Sequence, residues 1–462
     1  MMKHTVDLAI HPRWIIPMVP RGTILQQLSV IVNKGKIVDI LPEDKCSRYY
    51  DPKKEVHLKS HVLLPGFVNS HTHTAMYLFK SYGDDNSLSD WLEHYIWPME
   101  KKFISIPFIT DGVKMGCAEM IRSGTTCFND MYYYPVETAN LVSKIGMRAV
   151  IGLMARDGTG NQNANRAILS SDPSSPLIRF TIAPHSCYLY DEKTLKEIHS
   201  ICTECHSFMH IHVQETKDEL VNSMAGNRQG KACHCSDAHC SPIENMARLG
   251  YLDNACCAHC VHVTDKDIEL LAAHSASVVH CPNSNMKLGS GICPVQRMLD
   301  AGVNVCLGTD GASSNNNLDM LREMHAAALL GPLADGDAKA VNAVTALEMA
   351  TIRGARALGL EEAIGSVEVG KCADLVAVDM NCIEARPLHN LFSSIVYASG
   401  REQVTHVWVD GKVLMEEGKL TTLNVKELCE KAKEWEVSLH DENPYVDGAE
   451  QCSSPFSDTP SS

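Results

Sequence analysis

Long hydrophobic runs are missing from this sequence of 462 residues. No apolar stretch approaches the roughly 18 residues that a membrane-spanning helix needs, so we expect no membrane insertion. The first seven residues also lack the basic segment followed by an apolar segment that characterises a secretory signal. These two absences predict a cytoplasmic protein.

The sequence also has no excess of basic residues, and its number of cysteines is odd. The chain has 41 Lys and Arg against 56 Asp and Glu, which gives a formal net charge of -15 at pH 7. Binding to a nucleic-acid backbone needs clustered Lys and Arg, so we expect no nucleic-acid partner. The 19 cysteines are odd in number and scattered along the chain, which favours reduced thiols over a disulfide framework.

The chain is longer than a single hydrophobic core usually supports, which predicts a large catalytic domain with a smaller companion. Strand-like segments occupy residues 25–65 and return at residues 373–413, where Asp410 and Gly411 indicate a hairpin turn. We therefore expect a flanking β-sandwich built from residues 1–64 and 360–425. Residues 426–462 are expected to form a C-terminal helix and a disordered tail.

Short apolar runs alternate with longer helical patterns between residues 65 and 359, which is typical of a parallel sheet or barrel. Several of these runs end in a polar residue, namely His71, His185, His212, His259 and Asp310. In a (β/α)8 TIM barrel the carboxyl ends of the strands converge on one face, where the active site forms. The middle of the chain is therefore predicted to be a catalytic barrel of the α/β class.

His71 and His73 are two residues apart on a strand-like segment, which places both imidazoles on one face. Alone this pair is weak evidence for a metal site, because the chain has 22 histidines. His212 and Asp310 each end a further strand. Three imidazoles and one carboxylate suit Zn²⁺ or Fe²⁺ and leave a position for water. We predict that these four residues bind one divalent ion.

Acidic and basic groups for proton transfer lie near the predicted ligands. Glu215 follows His212 by three residues and is placed to carry a proton from an activated water to a substrate. Taken singly, Glu215 is also explained as the first acid of a helix, and Asp310 as a turn residue. We expect His259 to act as an electrophile toward the attacking water. His185 is expected to contact the substrate or to cap a turn.

Five segments carry a resemblance to a known family: residues 64–76, 212–215, 259–263, 283–291 and 307–317. They resemble the amidohydrolase superfamily, and within it the branch of 5-methylthioadenosine/S-adenosylhomocysteine deaminases and related adenosine deaminases. Single segments recur in chlorohydrolases and guanine deaminases of that superfamily. The resemblance covers most of the chain. It implies a (β/α)8 barrel flanked by a β-sandwich, one zinc or ferrous ion on the four ligands named above, and a homo-oligomer.

The resemblance also implies roles for individual residues. Glu215 would carry a proton to the purine ring, His259 would orient the water, and Asp310 would accept the water proton besides binding the ion. Trp91 resembles the family residue that forms a wall of the pocket. Glu100 resembles the family carboxylate that bridges the ribose hydroxyls. Water activated at the metal would attack C6 of an adenine nucleoside, N1 would be protonated, and ammonia would leave.

The sequence departs from this family where the 5′ group of the nucleoside would bind. Relatives that accept S-adenosylhomocysteine are similar to one another in having arginines after the third strand. Here that register holds Leu153, with Arg156 shifted along the chain and Arg166 as the candidate for the second arginine. We therefore expect a neutral 5′ group, with Arg156 and Arg166 as the candidate arginines for substrate binding.

A second departure lies in residues 226–242. Its metal-binding residue types are Cys233, His234, Cys235, His239 and Cys240. They would suit a small zinc site, but their spacing matches no standard zinc finger. We expect an exposed, reduced and cysteine-rich insertion near the pocket.

Four other functions are alternatives to the deaminase. A dinuclear hydrolase would need a lysine that forms a carbamate at a middle strand end, and none ends the strands of His185 or His212. A guanine deaminase or a triazine chlorohydrolase would use the same metal ligands, but Trp91 and Glu100 favour a nucleoside. A non-catalytic scaffold usually loses its ligands, whereas this chain retains all four and Glu215.

Overall fold

The computed structural model describes residues 3–155, 159–171, 175–228, 231–232 and 240–440. Its strands, numbered in chain order, are β1 (His4–Ile15), β2 (Leu25–Gln26), β3 (Leu28–Asn33), β4 (Lys36–Pro42), β5 (Tyr50–Pro65), β6 (Phe67–Thr72), β7 (Thr125–Met131), β8 (Arg148–Met154), β9 (Ile178–Ala183), β10 (His210–Val213), β11 (Asn227–Arg228), β12 (Lys231–Ala232), β13 (Cys256–His259), β14 (Ser277–His280), β15 (Asn304–Leu307), β16 (Leu375–Asp379), β17 (Val404–Val409), β18 (Lys412–Glu416) and β19 (Lys419–Leu420).

The helices alternate with the strands through the middle of the chain. They are α1 (Glu43–Tyr49), α2 (Leu88–Asp90), α3 (Trp97–Phe103), α4 (Ile106–Arg122), α5 (Pro135–Ile145), α6 (Thr159–Leu169), α7 (Glu192–Glu204), α8 (Lys217–Met224), α9 (Pro242–Leu249), α10 (Asp265–Ala273), α11 (Pro282–Lys287), α12 (Val295–Asp300), α13 (Ala312–Asn315), α14 (Met320–Asp335), α15 (Ala343–Met349), α16 (Ile352–Ala357), α17 (Leu391–Ser393) and α18 (Val425–His440). Three 3₁₀ turns (Thr74–Phe79, Cys187–Leu189, Arg401–Gln403) and two π-helical turns (Trp91–Ile96, Ser394–Ala398) complete them. No helix in these described ranges is both long and apolar enough to cross a membrane.

Strands from the two chain ends form one mixed sheet of nine strands. Its order is β19-β18-β17-β16-β5-β1-β3-β4, with β2 paired to β1. The 16-residue β5 joins the two groups, because it pairs in parallel with β1 on one edge and antiparallel with β16 on the other. The described strands therefore form a single continuous sheet where we expected the two facing sheets of a sandwich. The predicted turn at Asp410 and Gly411 is present, and both residues have positive φ angles as a tight hairpin requires.

The middle of the chain contributes eight parallel strands in two sheets of four. One sheet has the order β6-β7-β8-β9, and the other has the order β10-β13-β14-β15. Isolated parallel bridges, Ile182 to Met209 and Ser186 to His212, connect β9 to β10. At the opposite edges the Asp310 N–H donates to the His71 carbonyl oxygen over 3.0 Å. Parallel strands alternating with helices are thus confirmed, although the hydrogen-bonded ladders make two sheets and not one closed barrel.

A buried ion pair connects the parallel strands to the mixed sheet. The Arg148 guanidinium at the start of β8 donates from Nε to Asp374 Oδ2 over 2.7 Å and from Nη2 to Oδ1 over 3.0 Å. The Asp410 N–H donates to the same carboxylate over 2.8 Å. Both charged side chains are buried, so they satisfy each other in place of water. This pair fixes the mixed sheet against the amino-terminal end of β8.

Candidate active site

Four side chains with metal-binding atoms meet at the carboxyl ends of three parallel strands. His71 and His73 lie at the end of β6, His212 lies on β10, and Asp310 follows β15. One ligand atom from each lies within 4.8 Å of the others. Asp310 Oδ1 is 3.3 Å from His71 Nε2 and 3.2 Å from His73 Nε2. Atoms bound about 2.1 Å from one tetrahedral ion lie about 3.4 Å apart, so this spacing fits a single ion.

Contacts at Nδ1 orient the three imidazoles, and two of these contacts favour the tautomer that binds a metal through Nε2. His73 Nδ1 donates to the Met131 carbonyl oxygen over 2.5 Å, and His212 Nδ1 donates to the His185 carbonyl oxygen over 2.6 Å. His71 Nδ1 lies 2.8 Å from His210 Nε2. In their neutral forms His73 and His212 therefore carry a lone pair on Nε2, and His71 does so when the proton it shares with His210 lies on Nδ1. His71 Nε2 is buried without a hydrogen-bond partner among the described residues, which a bound ion would remedy.

Burial and charge set the protonation states that a metal site requires. Burial lowers the pKa of His71 to about 4 and the pKa of His212 well below its usual value, so both rings are neutral. Burial alone would raise the pKa of Asp310, but the neighbouring His71 and His73 outweigh it and hold that pKa well below its usual value. At His73 the Asp310 carboxylate outweighs burial and raises the pKa, so a metal ion bound there would replace a proton. With that proton released, the cluster offers neutral nitrogens and an ionised oxygen, which is the donor set of a zinc or ferrous site.

Glu215 is a buried acid that stands beside the cluster without belonging to it. Ser290 Oγ donates to Glu215 Oε1 over 3.0 Å, and the Glu215 N–H donates to Glu219 Oε2 over 3.0 Å. Burial raises the pKa of Glu215, while the Ser290 hydrogen bond opposes that rise. A buried carboxylate with a raised pKa is suited to accept and return a proton near neutral pH.

His259 approaches Glu215 and Asp310 from the end of β13. Its Nε2 is 3.7 Å from Glu215 Oε2 and 4.0 Å from Asp310 Oδ2. Its Nδ1 faces Asn285 Oδ1 at 2.9 Å, so Asn285 on α11 fixes the orientation of the ring. His259 and Asp310 both have left-handed backbones, with φ angles of 73° and 62°. Such conformations cost about 1–3 kcal/mol in residues other than glycine and concentrate at functional sites.

A cavity of about 1310 Å³ opens above these residues. Trp91, Glu100 and His185 line it, together with His73, His212, Glu215, His259 and Asp310. Tyr132 donates its hydroxyl to Glu100 Oε1 over 2.8 Å, and burial raises the pKa of Glu100. The cavity has the size of a small-molecule site, and its apolar walls surround a few convergent polar groups.

The two candidate arginines are not brought to this cavity by the described structure. Arg166 lies on α6, and its Nε donates to Glu204 Oε2 on α7 over 3.0 Å at the exposed surface. It is absent from the described residues that line the cavity. Arg156 lies outside the described residues, as does most of the cysteine-rich segment 226–242.

Four residues of the site were not selected from the sequence. They are His210, Glu219, Asn285 and Ser290. The sequence offered a clue only for His210, which lies two residues before His212 on β10. His71 and His73 have the same spacing. Asn285 and Ser290 lie in a segment used for the family resemblance, but no spacing rule connects them to His259 or Glu215.

Comparisons with known proteins agree with this geometry. The model of the amidohydrolase family matches residues 62–414. A protein of Teredinibacter turnerae named 5-methylthioadenosine/S-adenosylhomocysteine deaminase is 39% identical over 446 residues, which cover 94% of this chain and 98% of that protein. A protein of Moorella thermoacetica with the same name is 42% identical over 374 residues, 79% of this chain and 85% of that protein.

The solved structures include a similar zinc protein. The crystal structure of an adenosine deaminase from Xanthomonas campestris with bound zinc superposes with a TM-score of 0.89 at 35% identity. The superposition covers 95% of this chain and all of that one.

Proposed function

This chain belongs to the amidohydrolase family, and we propose that it removes the 6-amino group of an adenine nucleoside by hydrolysis, releasing ammonia and the inosine-type product. The observation that carries the proposal is the buried Glu215 beside four convergent metal-binding atoms. Relatives named as deaminases of 5-methylthioadenosine and S-adenosylhomocysteine support the choice of an adenine nucleoside.

We propose that His71, His73, His212 and Asp310 hold one divalent ion, and that zinc is that ion. The zinc bound in the similar adenosine deaminase supports this choice. When bound, such an ion supplies Lewis acidity, which makes a water molecule acidic enough to attack near pH 7.

The proton path follows from the contacts of Glu215. Its Oε2 atom faces His259, and its Oε1 atom accepts from Ser290, so Oε2 is free to take the water proton and deliver it to N1 of the adenine ring. Protonation of N1 allows C6 to accept the nucleophile. His259, with its Nδ1 held by Asn285, presents Nε2 to the attacking water. Asp310, within 4.0 Å of the same nitrogen, takes up the second proton of the water and passes it to the 6-amino group, which leaves as ammonia.

The nucleoside is proposed to lie in the cavity with its ribose toward Glu100. The Glu100 carboxylate lines the cavity and is suited to accept hydrogen bonds from the two ribose hydroxyls. The Trp91 indole donates to the Tyr82 carbonyl oxygen over 3.2 Å, which fixes it as a wall of the cavity. Holding the sugar in this way would bring C6 to the metal and N1 to Glu215.

We propose that the 5′ group is neutral, so that adenosine and methylthioadenosine are better substrates than S-adenosylhomocysteine. The cavity wall near β8 and β9 includes Met154, Ala155, Leu189 and Tyr190, which suit a thioether or a hydroxyl. Arg166 is engaged with Glu204 at the surface and gives no support for a carboxylate at this end.

We also propose that the eight parallel strands constitute a (β/α)8 barrel. The support is their sequential order, the bridges between β9 and β10, and the hydrogen bond that brings Asp310 to His71 between the first and the last strand. A barrel accounts for the convergence of three strand ends on one ion.

A substrate comparison tests the proposed function. The zinc-loaded protein is incubated with adenosine, methylthioadenosine, S-adenosylhomocysteine, guanine and a chlorotriazine while ammonia and chloride are measured. We expect ammonia from adenosine and methylthioadenosine, with a higher kcat/KM than for S-adenosylhomocysteine. If no adenosine derivative yields ammonia, the proposal is wrong, and chloride or ammonia from the other two compounds would identify the alternative.

A further inference from the structure

A second group of metal-binding side chains lies on the mixed sheet, away from the eight parallel strands. His11 on β1 and His57 on β5 are direct partners in the parallel pairing of these strands. Glu55 precedes His57 by two residues, so its side chain is on the same face of the sheet. One ligand atom from each of the three lies within 4.8 Å of the others. Three potential ligands therefore share one patch of this sheet.

His11 is the buried member of the group and has an unused nitrogen. Its side chain is 6% exposed, and its Nδ1 lies 2.7 Å from Ser29 Oγ on β3. Its Nε2 is buried without a hydrogen-bond partner in the described part of the chain. Burial, and then the proximity of His57, lower the pKa of His11, so its ring is neutral and able to bind a metal. A buried nitrogen without a partner is uncommon and calls for a ligand or a water.

His57 and Glu55 are the exposed members and have room to move. Their side chains are 52% and 46% exposed, and His57 Nε2 lies 3.5 Å from Glu55 Oε2. The His11 and His57 rings are stacked at 13°, with centroids 4.5 Å apart. Ligands of one zinc ion lie about 3.4 Å apart, so the two exposed side chains would have to rotate to close the remaining gap.

The charges around this group favour a cation. The negative charges of Glu43 and Glu55 both oppose the lowering of the His11 pKa, so they favour a positive charge at this position. Lys53, two residues before Glu55 on β5, is engaged by Asp7 Oδ1 at 2.8 Å. The patch therefore has carboxylates nearby, and Lys53 is already paired with a carboxylate.

We propose that His11, His57 and Glu55 form a second zinc site, which links β1 to β5 on the mixed sheet. His11 Nε2, an imidazole nitrogen of His57 and a carboxylate oxygen of Glu55 are its three protein ligands, and water completes the coordination. Two histidines and one glutamate are an established ligand set for zinc. The site is independent of the proposed deamination, because none of its residues lines the catalytic cavity in the described part of the chain.

Zinc capacity measured at equilibrium tests this site. The full chain is titrated with Zn²⁺ in competition with a coloured chelator, and the His57→Ala variant is compared with the unaltered protein. We expect the variant to bind one zinc ion fewer per chain. The matched control is His4→Ala, which removes an exposed histidine from β1 without touching the group, and we expect it to keep the full capacity. Equal capacities of the His57→Ala variant and the unaltered protein would overturn the proposal.

Two further measurements distinguish ligation from a structural effect. Cu²⁺ bound at the site should give an electron paramagnetic resonance spectrum with two nitrogen ligands in the unaltered protein and one in His57→Ala. Glu55→Gln should lower the affinity for the second zinc ion at least about tenfold. Loss of even a residue that only supports a metal ligand lowers metal affinity by about 10- to 100-fold. Circular dichroism confirms that each variant is folded. A folded Glu55→Gln variant with unchanged zinc affinity would exclude Glu55 as a ligand and overturn the three-ligand site.

Discussion

His210 is predicted to control the affinity of the catalytic metal without touching the ion. Its Nε2 lies 2.8 Å from His71 Nδ1, and both rings are buried. An ion bound at His71 Nε2 would leave the proton of His71 on Nδ1, and His210 Nε2 would then accept it. Burial lowers the pKa of His210 well below its usual value, which keeps the ring neutral and able to accept. His210→Leu would leave His71 Nδ1 buried without a partner, at a cost of about 1–3 kcal/mol. That cost corresponds to roughly 5- to 150-fold weaker zinc binding.

The assay is equilibrium competition for zinc, followed by the ammonia-release rate at saturating zinc. His210→Gln supplies an amide oxygen in place of the ring nitrogen and should recover part of the affinity. His280→Leu is the matched control, because His280 is a buried histidine on β14 that is not hydrogen bonded to the four ligands in the described part of the chain. A folded His210→Leu protein that binds zinc within twofold of the unaltered protein would refute this reasoning.

Three further predictions concern the proton path and the junction between the sheets. Glu215→Gln should lower kcat for adenosine by about 10²- to 10⁴-fold with unchanged zinc content, and an active variant would exclude the proton transfer. Ser290→Ala removes a hydrogen bond that favours ionised Glu215, so its pKa rises. The acid limb of the kcat/KM profile should then move to higher pH, and a move to lower pH would contradict this assignment. Arg148→Met leaves the buried Asp374 carboxylate without its ion-pair partner. It should lower the free energy of unfolding, measured in urea, by about 3–5 kcal/mol. By contrast, Lys431→Met at an exposed ion pair should cost under about 1 kcal/mol.

The proposed metal ligands were predictable from the sequence because three of them end a short apolar run. Strand ends in a parallel sheet meet at one edge, so His71, His212 and Asp310 were expected to converge, and the structure brings them together. The sequence did not predict a role for His210, the first residue of β10, because a histidine within an apolar run is usually part of the core. Only its 2.8 Å contact with His71, formed across 139 residues, reveals its role.

Other features depend on pairings that a local pattern does not contain. Strand-like text at both ends predicted a shared β-domain, but whether it forms one sheet or two depends on both edges of β5, whose partners β1 and β16 come from opposite ends of the chain. Arg166 was the candidate for the second arginine that relatives accepting S-adenosylhomocysteine have after the third strand. The structure places it on α6, where Glu204 from the next helix engages it at the surface.

The double role of β5 has a consequence for synthesis on the ribosome. Its last residues, Val62 to Pro65, pair with β16, and about 310 residues separate Pro65 from Leu375. At about 5–20 residues per second, that interval lasts roughly 15 to 60 s. Throughout it, the apolar carboxyl-terminal edge of β5 has no β16 to pair with and presents open N–H and C=O groups. The nascent chain therefore exposes an unpaired strand edge that can pair with other chains. We expect the yield of folded protein to depend on chaperones and on the speed of translation.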